Sequence, residues 1–349
     1  MSDAFAQIDL LAHGGVPDRA GFTRLIEQYQ NKEVADYLFA KSRACLLQNF
    51  GRGVFVRGLI EISSFCKNDC LYCGLRRSNV CARRYRLREA EILACCVHGY
   101  AFGFRTFVLQ GGEDAYFTDD RLEKLLLSLK AACPDSAVTL SLGERSRQSY
   151  KRLFAAGADR YLLRHEAASP SLYSYLHPGD MQLQNRLRCL HDLKEIGYQT
   201  GAGFMVGAPG QTAADLADDL VYLARLRPQM VGIGPFLPAR GTPFENCPPG
   251  SGALTVFLVA VLRLLLPHAN LPATTALASL PGDGRLQALD VGANVVMPNL
   301  SPPGVRGKYA IYDNKKSTGG ESAEHLELLA RDLQKIGRVI DFGRGDYHE

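Results

Sequence analysis

Eight times along this chain, a short β-branched or apolar run gives way to a polar or glycine-rich loop and then to a helix-like stretch. The runs fall at 54–62, 106–110, 138–142, 160–164, 200–206, 230–234, 270–274 and 294–297. Amphipathic segments such as 122–132, 185–196 and 214–226 lie between them. Such alternation predicts a parallel sheet, because parallel neighbours need a crossover long enough to hold a helix. Eight units match a closed α/β barrel of the (β/α)8 TIM type. A six-stranded open barrel is the alternative, since the seventh and eighth runs are the weakest. Residues 1–50 read as an N-terminal helical extension covering one barrel end, and 51–300 as the barrel itself. Residues 301–349 read as a C-terminal extension that closes the barrel, with one helix at 321–336.

Bulk composition narrows the function classes. A net charge of +4 over 349 residues gives no basis for nucleic acid as a partner. The opening MSDAFAQIDLLAHGG has neither the basic nor the apolar region of a secretory signal. The most apolar stretch, 253–267, is interrupted by Arg263 and is too short to cross a bilayer, so it is expected to be a buried helix. No membrane association is expected, and the expected compartment is the cytoplasm.

Active sites on such barrels sit at the C-terminal ends of the strands, and reactive residues gather there. Run one leads into SSFCKNDCLYCG, run two into QGGED, run three into SLGE and run four into RHE. Runs seven and eight lead into TTA and PNLSP.

Three of the ten cysteines, Cys66, Cys70 and Cys73, share one loop with the spacing C-x3-C-x2-C. Thiolates are the usual ligands of iron–sulfur clusters, and a closed 4Fe-4S cluster takes four of them. Three leave one iron open. Zinc is the competing reading, but zinc cysteines usually come as two separated pairs, and no second pair exists here.

Other rim residues follow from strand parity and side-chain chemistry. Gly111 and Gly112 permit close backbone approach to a ligand, and Glu113 offers an anion to an ammonium group. Alternation along run four puts Arg160, Leu162, Arg164 and Glu166 on one face, with Tyr161, Leu163 and His165 on the other. The charged face points into the barrel, where charges persist only when paired or bound to ligand. His165 then faces the helices in a structural role. Thr139 and Ser141 likewise share one face of run three. Arg57 and Glu61 face inward and are expected to be structural.

The pattern C-x3-C-x-aromatic-C, with Tyr72 before the last cysteine, resembles the signature of radical S-adenosylmethionine (SAM) enzymes. CLYCGLRR, LQGGED, TLSLGE, DRYLLRHE, GYQTGAGFMVGAPGQT, MVGIGPF, PATTA and NVVMPN resemble HydE-type enzymes, which mature the FeFe-hydrogenase active-site cluster. The resemblance implies one 4Fe-4S cluster on Cys66, Cys70 and Cys73, and SAM cleaved to a 5′-deoxyadenosyl radical. It implies a SAM site of Tyr72, Gly111, Gly112, Glu113, Arg164, Glu166 and Arg186. It implies a substrate cavity of Thr139, Arg160, Thr274, Thr275, Met297 and Tyr309. Implied partners are HydG, which delivers an organometallic iron substrate, HydF, which receives the product, and a flavodoxin or ferredoxin as reductant. The basic run 75–87, with Arg76, Arg77, Arg83, Arg84 and Arg86, is a candidate dock for such an acidic donor, or simply exposed surface. The alternative is a methylornithine synthase-like or biotin synthase-like enzyme on the same scaffold. Some HydE-type proteins carry three further C-terminal cysteines for an auxiliary cluster; nothing after Cys247 is cysteine here, so a single cluster is expected.

Overall fold

The computed structural model describes residues 3–315 and 323–348. Eleven strands are formed among them: β1 (Gly53–Val56), β2 (Gly58–Ser63), β3 (Thr106–Gly111), β4 (Ala137–Ser141), β5 (Arg160–Leu162), β6 (Gln199–Ala202), β7 (Met205–Val206), β8 (Met230–Val231), β9 (Gly234–Pro235), β10 (Val295–Val296) and β11 (Val339–Asp341). β2, β3, β4, β5, β6 and β8 pair side by side, all parallel. The ring closes through bridges from Met230 to Asn270 and from Pro272 to Val295, and through β10 pairing with β1. The eight-unit barrel is therefore closed, as the alternation predicts.

Three of the expected continuous strands are interrupted. Run one breaks at Arg57, run five at Gly203 and Phe204, and run six at Gly232 and Ile233. Run seven forms only isolated bridges. There side chains take over the work of a ladder. Asn294 accepts from the Leu271 amide at 2.8 Å and donates to Asn270 Oδ1 at 2.9 Å. Arg263, fully buried, donates to Asn294 Oδ1 and to the Gly292, Pro267 and Ala269 carbonyls. Burial lowers its pKa to about 9. The apolar helix Gly252–Leu265 is thus a buried barrel helix, and its one charge ties it to the last two strands. Among the described residues no helix is long and apolar enough to cross a membrane.

The helical lead-in differs from expectation. Helices Asp3–Ala12, Arg19–Glu27 and Lys32–Phe50 pack chiefly on the outer helices Ala213–Leu226 and Gly252–Leu265, along the flank of the barrel. Asp18 and Asn31 cap the second and third of them. The expected tail helix is present as Leu326–Lys335; its first residues lie outside the described ones.

It is the C-terminus that covers a barrel end. β11 pairs with Gly53–Phe55 of β1, and the chain then passes under the strands. Arg160, expected in the substrate cavity, belongs to this base. Its guanidinium is fully buried and donates to Asp346 (2.7 Å), the Arg344 carbonyl (2.8 Å), Gln199 and Thr106. Arg160, Gln199 and Thr106 are all first residues of their strands, so the inward parity is right but the depth is the opposite end from the site. Burial raises the Asp346 pKa, but hydrogen bonds from Arg344 and Gln199 and the charge of Arg160 outweigh it, for a net value well below the ordinary one. Such a carboxylate adds stability above the unfolded-state pKa of about 4, and that contribution is lost as pH falls through the lowered folded value. Asp346→Ala strands the Arg160 charge. It should cost about 3 kcal/mol, the low end for a half-removed buried pair because Asp346 keeps some exposure. Denaturant melts at pH 7 and pH 3 check this, with the gap between variant and parent narrowing at the acidic end.

Candidate active site

At the opposite end, the strand tips surround a cavity of about 330 Å³. Cys66, Cys70, Tyr72 and Cys73 line it from the loop after β2, Gly111, Gly112 and Glu113 from β3, and Arg164 and Glu166 from the segment after β5. Arg186 reaches in from helix Leu183–Ile196. Thr274, Thr275, Met297 and Tyr309 complete the far wall. Thr139 is buried in β4 with its hydroxyl unpaired, yet it lies outside this lining, as does Arg160.

Hydrogen bonds and ion pairs shape the cysteine loop. Arg84 donates to the carbonyls of Ser64 (2.5 Å), Leu75 (2.9 Å) and Arg76 (2.7 Å), joining the two sides of the loop. Asp69 accepts from Arg76 Nε and from the Ser78 amide and hydroxyl; led by the Arg76 hydrogen bond, these hold its pKa well below the ordinary value. Asn79 bonds the Gly74 and Arg240 carbonyls. Arg86 pairs with Asp114 and stacks over Phe65. Of the five arginines in the basic run, Arg77 and Arg83 are the exposed ones with no side-chain partner among the described residues. The others build the loop.

All three cysteines are free thiols, half-buried. Burial raises each pKa; neighbouring cysteines add to it at Cys70 and Cys73, pushing Cys73 up to about 12. A set like this becomes thiolate when cations bind it. Among the described residues no three Cys, His, Asp or Glu side chains are gathered to hold a single metal ion. A cubane suits the loop better, because each thiolate takes a different corner iron and the sulfurs need not converge on one point. Cys81, the nearest other cysteine in sequence, is exposed and outside the cavity.

The neighbours provide polar groups of both signs. Glu113 is nearly buried and pairs with Lys67 at 3.2 Å. Arg164 Nη2 lies 3.0 Å from Glu166 Oε2, but off hydrogen-bond geometry, so both atoms stay buried without a hydrogen-bond partner. Arg186 donates to Glu144 (2.5 Å) and to the Arg164 carbonyl (2.6 Å). Burial opposes its charge, but Tyr173 and Glu144 outweigh that and raise its pKa. The Tyr72 hydroxyl faces His177 Nε2 at 3.2 Å. His177 Nδ1 bonds the Tyr173 carbonyl, and burial lowers the imidazole pKa to about 4. The proton therefore sits on Nδ1, and Tyr72 donates to Nε2.

Lys315 and Tyr312 also line the cavity and carry no motif in the sequence. Lys315 pairs with Glu61, which is fully buried on β2 and also accepts from Asn299 (3.0 Å). Burial raises the Glu61 pKa, and the Lys315 charge opposes that rise. Glu144, on the SLGE rim, is the other missed member; its position after run three was the available signal.

Gly112 is where the loop and β3 touch. A Cβ there would stand 2.2 Å from the Phe65 carbonyl oxygen and 2.8 Å from Cys66 Cβ. Gly112→Ala must therefore displace the loop at its first cysteine. It should lower stability by about 2 kcal/mol and cut iron and sulfide incorporation on anaerobic reconstitution, both read against the parent protein.

The chain matches the radical SAM superfamily over residues 60–223. It is 45% identical over 288 residues to the FeFe hydrogenase maturase subunit HydE of Thermotoga maritima, covering 82% of each chain. The 3-methylornithine synthase of Methanosarcina acetivorans is 28% identical over 320 residues, 91% of this chain and 87% of that protein. Among solved structures, methylornithine synthase (PylB) has a TM-score of 0.82 at 26% identity, covering 96% of this chain and 97% of that one. HydG shares the fold, with a TM-score of 0.82 at 19% identity, over 97% of this chain and 76% of that one. An iron–sulfur cluster and SAM come with the superfamily. The chain belongs to the HydE family of radical SAM enzymes.

Proposed function

We propose that this enzyme cleaves SAM at a single 4Fe-4S cluster held by Cys66, Cys70 and Cys73, and that it serves FeFe-hydrogenase maturation. The observation that carries the reading is a set of three free thiols, with no fourth cysteine, on a clamped loop facing one cavity. When bound, the cluster supplies one electron and SAM the 5′-deoxyadenosyl radical. The chain supplies position and charge. The Glu113 carboxylate suits the SAM ammonium, with Gly111 and Gly112 letting backbone approach it. Arg186 suits the SAM carboxylate, its guanidinium fixed by Glu144 so that little order is lost on binding. Arg164 and Glu166 carry buried polar atoms that could bond the ribose, and Tyr72, oriented by His177, would offer its ring to the adenosine.

Beyond the SAM site, Thr274, Thr275, Met297 and Tyr309 face the substrate, with Thr274 Oγ1 buried and unpaired. Thr139, outside the lining and in register with Arg160, keeps an unpaired buried hydroxyl. The likeness to HydE favours HydG and HydF as partners, a flavodoxin or ferredoxin as reductant, and work in the cytoplasm. The likeness to methylornithine synthase along most of the chain keeps an amino-acid mutase as the second reading.

Anaerobic reconstitution with dithionite and SAM should yield 5′-deoxyadenosine and methionine. Cys70→Ala should reduce that yield by at least about 10²-fold, since the other effects of the site act only after cluster binding. Turnover that survives the substitution refutes the cluster assignment. Supplying HydF and HydG with this enzyme should activate FeFe hydrogenase apoprotein; conversion of lysine to methylornithine instead would favour the second reading.

A further inference from the structure

Among the described residues, Glu166 is the one non-glycine residue of the cavity lining with a left-handed backbone, at φ 67°. Glutamate rarely adopts this conformation, because its Cβ crowds the following carbonyl. Such outliers persist only where the surroundings over-determine them. Backbone bonds supply part of the restraint: the Ala167 amide donates to the His165 carbonyl at 2.9 Å, across Glu166. Glu166 donates its amide to the Gly203 carbonyl at 3.1 Å, and its own carbonyl accepts from the Met205 amide at 3.2 Å.

The stronger restraint comes from behind. Asp219, fully buried on helix Ala213–Leu226, puts a single oxygen, Oδ1, between the two flanks of the turn. It accepts from the Ala168 amide at 2.6 Å and faces His165 Nε2 at 3.1 Å. One residue before Glu166 and one two residues after are thus tied to the same atom. His165 is fully buried, and burial lowers its pKa to about 3. Its ring is neutral and carries the proton on Nε2. The Asp219 pKa is raised well above its ordinary value by burial. Helix Ala213–Leu226 is itself fixed by a capping box at Thr212 and Asp215 and by the Arg19–Asp218 pair to the lead-in.

We propose that Asp219 is a positioning residue for SAM: by holding His165 and Ala168 on either side of Glu166, it fixes the strained turn that presents the Glu166 carboxylate to the cavity. This rests on the reading of Glu166 as a SAM contact. Asp219 touches no ligand. It acts through the backbone, in the way that outer partners orient the groups that do bind. The pair also accounts for the parity of run four, where His165 points away from the site between two residues that point in.

The test uses Asp219→Ala, Asp219→Asn and Glu166→Ala in the full chain. Hydrogen exchange of the 163–169 segment in cofactor-free protein reads the turn directly. Asp219→Ala should speed exchange at the Ala168 amide by at least about tenfold, whereas Asp219→Asn, which keeps Oδ1 and mimics a neutral carboxyl, should not. SAM affinity is then read from the spectral change of the reduced, reconstituted cluster on titration. Asp219→Ala should weaken binding about tenfold, Asp219→Asn by less than about twofold, and kcat at saturating SAM should hold in both. Faster exchange with unchanged SAM affinity, while Glu166→Ala weakens binding, overturns the positioning role alone. Unchanged affinity in Glu166→Ala overturns the reading of Glu166 beneath it. If Asp219→Ala does not fold, His165→Leu removes one of the two ties while filling its space, and unchanged SAM affinity in that variant overturns the proposal equally.

Discussion

The Arg84 guanidinium is the interaction on which the site depends. Its three short bonds, to the Ser64, Leu75 and Arg76 carbonyls, bracket all of the cysteines in a segment that forms neither helix nor strand. A loop of this length with three buried thiols has little reason to keep one shape, since each thiol is costly to ionise and the chain gains no ladder bonds. Carbonyls gathered around a permanently charged, planar donor solve both difficulties. They satisfy the backbone and set a positive charge beside the thiols. Asp69 and Asn79 then fix the downstream turn. With the loop anchored at its base, its cysteines face the β3 glycines without any contribution from the metal.

The same principle, one buried charge tied to many carbonyls or to a chain-distant partner, recurs around the barrel. Arg263 ties the last two strands to their helix. Arg160 and Arg57 occupy the base beneath Arg344, Gly345 and Asp346. Lys315 meets Glu61 on the cavity floor. A barrel interior filled with branched apolar residues would be easier to stabilise. The interior of this one is charged at both ends and is completed by the C-terminal segment at each. Residues 309–315 supply Tyr309, Tyr312 and Lys315 above, and residues 339–346 supply β11 and Asp346 below. The C-terminal segment therefore contributes side chains at both ends, lining the cavity at one and meeting Arg160 at the other, the base.

Much of this was legible in the sequence, and the parts that were not share a cause. The eight-fold alternation gave the barrel, and the cysteine spacing gave the loop. Rim residues followed from strand order, because strand ends are local properties. Parity placed Arg160 and Arg164 on the same inward face correctly. Depth is not a local property. Whether an inward charge meets ligand or plug depends on what the rest of the chain brings to it, and the partner of Arg160 lies 186 residues away. Lys315 was missed for the same reason, its acid being 254 residues distant. The basic run misled in the opposite direction. Five arginines in sequence suggest a charged surface, but Arg76, Arg84 and Arg86 are spent on Asp69, backbone carbonyls and Asp114, a pairing that only the folded loop reveals.

The cavity-side segment shows how a site can be closed by ordinary polar contacts. Ile311 accepts from the Gly74 amide, beside Cys73, and Gly74 is small enough that the Ala310 carbonyl lies where its Cβ would be, at 2.1 Å. Asp313 donates its amide to the Pro238 carbonyl and accepts from the Arg240 amide. Lys315 then turns inward to Glu61. Between Tyr309 and Lys315 the chain is thus fixed to the cysteine loop, to the rim after β9 and to β2, three separate walls of one cavity. Contacts of this spread restrain a short segment along its length, because each removes the freedom of a different residue.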